Sequence, residues 1–279
     1  MSTILVGIDG SSASRAALAW AARRAALLGS SLVIAHVVDD EWGSSADQLL
    51  AAERELALRA ADVAESFPAL DIDVLVAAGN PSIELATIAS RADLLVLGTH
   101  KTGFVQGHVF GSRALRLAAS SDAPVAVIPE RTTGIRSGVV VGIDSSAAGD
   151  AAVHFAAIEA QRLGEELILV LGTGAVEPGE VRAPQRAERE LGVVARAVRI
   201  ADATSPDVAV RVRTVRRAPS SALVGVAGRA RLLVVGSSRR HGEGAAALGP
   251  VSHDVLLNIA APTVVVHPAR LGVASAVSA

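Results

Sequence analysis

The sequence predicts an α/β protein built of two tandem units, each a doubly wound, parallel, five-stranded sheet. Three observations predict it. Short apolar runs alternate with helix-length segments along the chain. Those runs are nearly continuously apolar, as strands covered on both faces are, rather than alternating. The whole pattern occurs twice within the 279 residues.

The repeat shows in ordered matches. ASRADLLVLG at 89–98 returns as AGRARLLVVG at 227–236, an offset of 138 that also carries Pro81-Ser82 onto Pro219-Ser220, Gly111 onto Gly249 and Ala123-Pro124 onto Ala261-Pro262. Val6-Gly7-Ile8-Asp9 recurs as Val141-Gly142-Ile143-Asp144 at an offset of 135, so one short length change separates the two registers. A unit near 138 residues is too long for a solenoid repeat and has the size of a domain. The polar stretch ERTTGIRS at 130–137 reads as the linker, giving a first domain over 1–133 and a second over 137–270.

In the first half, strands are expected at 3–8, 31–38, 71–77, 93–97 and 125–128. Helices are expected at 14–28, 45–66, 81–91 and 112–121, with Pro81 at a first helical turn and Gly29 after a helix end. The second half repeats the strands at 138–143, 166–171, 208–215, 232–235 and 263–266, with its second helix somewhere in 188–201. Right-handed crossovers and βα alternation lead to a flavodoxin-like or Rossmann-like topology.

Composition narrows the function classes. A net charge of −2 gives no nucleic-acid footprint, and six aromatic residues are too few for base-stacking platforms. The absence of cysteine excludes disulfides, thiolate catalysis and cysteine-based zinc sites. Residues 1–10 enter a strand pattern without a cationic start, and no apolar window of about 20 residues is present, so neither a signal peptide nor a membrane span is expected. A cytoplasmic location follows as the expectation. The seven histidines show no zinc-ligand spacing, no GxSxG elbow is present, and Arg182, Arg186 and Arg189 read as a solvated helical face.

In such a sheet, ligands bind beyond the carboxyl ends of the strands, where strand order reverses. That directs attention to Asp9-Gly10-Ser11 after the first strand and to 98–112 after the fourth. Asp9, and Asp144 in the same place, reads either as a cap for the next helix or as a carboxylate that accepts hydrogen bonds from a ligand. Gly98, Gly111 and Ser112 border a glycine-bearing loop that opens a helix, a place where backbone amides can meet phosphate. The loop is neither a Walker loop nor GxGxxG.

VGIDGS at 6–11, AHVV at 35–38, LLVLG at 94–98 with its loop to Gly111-Ser112, and APVAVIP at 123–129 resemble the universal stress protein family, twice along the chain. The resemblance implies an adenine nucleotide alpha hydrolase-like fold. The family's ATP-binding branch carries Gly, two residues, Gly, nine residues, Gly, then Ser or Thr. Gly98, Gly111 and Ser112 match it, as do Gly236 and Gly249, while Lys101 and Arg239 hold the middle position. A Cβ there crowds any backbone approach that needs positive φ; two cations there can instead pair with the same phosphates. By resemblance, Asp9 and the Val37 backbone take the adenosine end, and Gly98, Gly111 and Ser112 take the phosphates.

The resemblance thus implies a stress-response switch or sensor that binds ATP, with ADP or AMP, and Mg²⁺ alongside ATP, left open, and without efficient turnover. A nucleotide-free interaction scaffold and an enzyme or electron carrier on a related adenosine-binding fold are the other readings. The partner expected by resemblance is the other unit or a second chain, met through the last strands. Nucleic acid and membrane are not expected partners. The two sites are expected to be unequal: Ser112 offers an amide and a hydroxyl where Pro250 offers neither, although Ser252 can recover part of the loss.

Overall fold

Strand β1 (Thr3–Gly7) and helix α1 (Ser12–Leu28) set the pattern that both units follow. The β1 residues from Ile4 onward are buried, so the strand is a central one. Helix α1 starts where the Ser11 hydroxyl accepts the Ser14 amide at 3.1 Å and stops at Gly29, whose φ of 62° continues into a turn. Its inner face is Ala13, Ala17, Ala21, Ala22 and Ala25, small side chains that let the helix lie close to the sheet. The computed structural model describes residues 2–40, 43, 45–99, 112–131, 134–174, 184–238 and 247–268.

The first unit continues through β2 (Ser31–Val38), α2 (Ala46–Ser66), β3 (Ile72–Ala78), α3 (Pro81–Ala89), β4 (Leu94–Thr99), α4 (Ser112–Ser120) and β5 (Val125–Pro129). All its strand pairs are parallel, in the order β3-β2-β1-β4-β5. Order therefore reverses between β1 and β4, where Leu5 faces Leu95 across the ladder. The Ser45 side chain and Gln48 form a reciprocal cap on α2, and Asn80 accepts the Ser82 and Ile83 amides at the start of α3.

The second unit runs β6 (Val139–Gly142), α5 (Ala147–Leu163), β7 (Leu167–Gly172), α6 (Pro184–Thr204), β8 (Val210–Val215), α7 (Pro219–Ala227), β9 (Leu232–Gly236), α8 (Pro250–Leu257) and β10 (Thr263–Val266). Its order, β8-β7-β6-β9-β10, is the same topology. The division between units falls after Arg131, within the expected linker. The α/β class and the order of elements match the expectation, and the corrections are local. Helix α6 has 21 residues, well beyond the window expected for it, because its polar face carries little periodic signal and it buries only Ala197 and Ala201. Among the described residues, no helix is long and apolar enough to cross a membrane.

One contact recurs in both units. A Cβ on Gly98 at the end of β4 would lie 2.2 Å from the Ala13 carbonyl oxygen of α1. A Cβ on Gly236 at the end of β9 would lie 2.1 Å from that of Ala148 in α5. Helix backbone presses on strand backbone, and only glycine leaves room. Gly98→Ala and Gly236→Ala should each destabilise the protein by about 1–3 kcal/mol through overpacking. Gly192→Ala on the open side of α6, where an added Cβ meets nothing within 4 Å, should stabilise by about 0.5–1 kcal/mol. Urea denaturation of the three variants measures both signs; equal shifts at positions 98 and 192 would refute the packing argument.

Candidate functional site

The cleft of the first unit opens where strand order reverses, between β1 and β4. Its floor is apolar: Gly7, Ile8, Val37, Leu85, Leu97 and Leu117. Its rim is polar, with Asp9 and Ser11 after β1 and Arg113 in the first turn of α4. The turn between β1 and α1 is held from several sides. The Asp9 amide donates to the Ser14 hydroxyl at 3.3 Å, and the Ser11 amide donates to Asp9 Oδ1 at 3.1 Å. His36 Nδ1 donates to the Ile8 carbonyl at 2.8 Å, and Arg15 donates to the Gly10 carbonyl at 2.7 Å. Gly10 itself has φ of 78°, so the turn needs glycine there.

Asp9 is exposed at this rim, and its carboxyl is held below the ordinary carboxylate range. Burial acts to raise it, but the Ser11 hydroxyl and amide, the Ser14 hydroxyl and the Arg113 charge together outweigh burial. Arg113 also pairs with Asp39, Nη2 to Oδ2 at 3.4 Å, across from the end of β2.

The cleft of the second unit repeats the floor with Gly142, Ile143, Pro219, Leu223, Val235 and Gly236, but its polar groups bond to one another. Asp144 Oδ1 accepts both the Ser146 amide at 2.9 Å and the Ser146 hydroxyl at 2.6 Å. It lies where a Cβ on Gly149 would be only 2.2 Å away. The first unit has Ser14 at that place, and its hydroxyl accepts the Asp9 amide. The Gly249 amide, at the start of α8, donates to the Ser237 hydroxyl at 3.1 Å. The buried Ser252 hydroxyl donates to the Gly236 carbonyl at 2.8 Å. His267 Nδ1 donates to the Ser237 carbonyl at 2.7 Å, closing the same corner. Val251 takes the place that Arg113 has in the first unit.

Asp9, Val37 and Gly98 thus converge on one cleft from three strands, with Gly10 in the turn beside them. Ser112 is the first residue of α4; Lys101, Gly111 and Arg239 lie outside the described residues. In the second unit Asp144 and Gly236 line the cleft and Gly249 caps α8. Gly98, like Gly236, is required by helix packing. The Ser252 hydroxyl is bonded to the Gly236 carbonyl at the strand end. Arg186 is not merely a solvated cation: it donates to the Thr173 carbonyl and pairs with Glu190 at 3.4 Å. Arg113 was not among the residues expected from sequence. Its signal is a cation in the first turn of a helix, where the helix dipole disfavours one unless an anion is near.

Similarity to known proteins identifies the family and the fold. The profile of the Universal stress protein family matches residues 1–129 and again 137–267. Universal stress protein Rv2005c of Mycobacterium tuberculosis is 31% identical over 94% of this chain and 96% of its own length. A universal stress protein from Archaeoglobus fulgidus superposes with a TM-score of 0.74 at 17% identity, covering 95% of this chain and 98% of that one. A universal stress protein solved in complex with cAMP matches 46% of this chain and 96% of its own, at 27% identity and a TM-score of 0.39.

Because the hydrogen bonds favour the carboxylate, the stabilisation that Asp9 gives is in place above the ordinary carboxylate pKa and is lost only as pH falls through the lowered value. Its carbon-13 NMR titration should have a midpoint below about 3.9, the ordinary value for aspartate. Ser11→Ala should move it upward. A midpoint at or above the ordinary value in the unmodified protein would show that burial prevails.

Proposed function

The chain belongs to the universal stress protein family, and from that premise we propose that its first unit binds an adenine nucleotide, ATP in the first instance, as a stress-response switch or sensor. The adenosine enters the apolar floor beside Val37, and the Asp9 carboxylate accepts hydrogen bonds from its hydroxyl groups. The phosphates extend toward the end of β4 and the start of α4, the direction that the family's glycine pattern implies. Binding occurs without efficient turnover, and the protein works in the cytoplasm.

The observation that carries this reading is the position of Asp9. It sits exposed at the rim of an apolar cleft at the reversal of strand order, and its carboxyl is held below the ordinary carboxylate range. A carboxylate in that state is a ready acceptor for ribose hydroxyls.

For the second unit, the scaffold reading is favoured instead. The Gly249 amide is bonded to Ser237, and Pro250 brings no amide. A phosphate arriving there would have to break this bond without gaining Ser112-like donors, at a cost of about 1.5–3 kcal/mol for each lost charged hydrogen bond.

Calorimetric titration with ATP should therefore give one tight site per chain. Asp9→Ala should weaken it by about tenfold or more. The nucleotide released on denaturing the freshly purified protein, identified by mass, reports the phosphorylation state. Two equal sites, or no binding of any adenine nucleotide, would overturn the proposal.

A further inference from the structure

Arg113 stands apart from the rest of the cleft. It is the second residue of α4, lies on the rim with Asp9 and Ser11, and keeps its side chain 55% exposed. Among the described residues it forms an ion pair with Asp39, itself 45% exposed, just beyond β2. At 3.4 Å and at that exposure the pair is a loose one, held in water and open to exchange. The position is electrostatically uncomfortable for a cation, because the first turn of a helix already carries positive partial charge. Asp39, with the nearby charge of Asp9, offsets that discomfort while the cleft is empty.

The second unit forms the same elements without this pair. Aligning the strands places Gly174 opposite Asp39 and Val251 opposite Arg113. Both members are missing together, in the unit whose phosphate-facing groups are bonded among themselves. The α8 helix and the β7 strand form without them.

We propose that Arg113 is the residue that selects for phosphate charge in the first unit, and that Asp39 is its exchangeable counter-ion, displaced when the phosphates of a nucleotide arrive. The inference rests on the first cleft taking an adenine nucleotide. A guanidinium is suited to this because its planar fork can pass from a carboxylate to a phosphate with the same paired geometry. The exchange makes the site respond to the number of phosphates: adenosine leaves the Arg113–Asp39 pair in place, whereas ATP replaces it with a more highly charged partner. The apolar floor and Asp9 hold the nucleoside in either case, so the charge of the ligand is read separately from its base and sugar.

The test uses the full chain, titrated in parallel with ATP and with adenosine, in three forms: unmodified, Arg113→Val and Asp39→Asn. Arg113→Val installs the residue the second unit already has, and a thermal melt checks that it folds. The expected result is a loss of about tenfold or more in ATP affinity with adenosine affinity unchanged. Asp39→Asn should strengthen ATP binding severalfold and leave adenosine alone, because a competitor has been removed. Arg113→Lys should recover part of the ATP affinity, and added salt should shrink the difference between the unmodified and Val forms. If ATP and adenosine bind the unmodified chain and Arg113→Val changes neither, or weakens both equally, Arg113 is not a charge selector and the nucleotide reading survives. If neither ligand binds the unmodified chain, the nucleotide reading falls and this inference falls with it.

Discussion

The contact between the first turn of α1 and the end of β4 is the constraint on which the site depends. Gly98 has no side chain because the Ala13 carbonyl occupies that space, and Gly236 is bare for the same reason against Ala148. Bringing a helix start that close to a neighbouring strand fixes where the intervening turn can run. Residues 9–11 must leave β1, pass through the positive φ of Gly10, and reach the Ser11 cap within three positions. Asp9 is carried to the rim as a consequence. The alanine face of α1 serves the same end, since larger side chains there would lift the helix and open the turn.

Much of the fold is legible in the sequence because its strands are central and covered on both faces. The apolar runs, the glycine after α1 and the proline at α3 mark their own places. What was not legible is the reason for individual residues. Gly98 and Gly236 fit a phosphate pattern by spacing, but spacing cannot say whether a bare Cα faces a ligand or a helix. Asp9 and Asp144 sit in identical Val-Gly-Ile-Asp contexts, yet their surroundings differ five positions later, where Ser14 stands against Gly149. Arg113 escaped notice because a lone arginine on a helix is ordinary in one dimension. Its meaning comes from Asp39, more than seventy residues earlier in the chain.

The two clefts show which residues a duplicated fold keeps and which it varies. Gly7, Ile8, Asp9, Ser11, Pro81, Leu85 and Gly98 have the same residue types at the matching positions of the second unit. These residues build the turn, the caps and the floor, so both halves need them to fold. The differences gather at the edges of the cleft: Ser14 against Gly149, Val37 against Gly172, Arg113 against Val251. At Gly172 the reason is again steric, since a Cβ there would lie 2.5 Å from the Pro219 Cα, so α7 closes on β7 where Val37 keeps α3 farther off.

Polar groups beside an apolar floor must be satisfied by something, and the two units take different solutions. The second bonds Asp144 to Ser146, Ser237 to Gly249 and to His267, and Ser252 to Gly236, so each group has an internal partner. That arrangement is stable and leaves little for an incoming anion to gain, because every new bond would replace an existing one. The first unit keeps a hydroxyl at the buried Thr99, which matches Ser237, but Pro129 stands where His267 is, and the buried Ala114 where Ser252 is. Its charges meet across the mouth of the cleft in a solvent-exposed pair instead. A site whose charges are balanced by a weak pair can exchange that pair for a ligand at small cost, whereas one whose donors are bonded within the fold must first be dismantled. The difference that we propose in what each unit binds rests on where its polar groups find their partners.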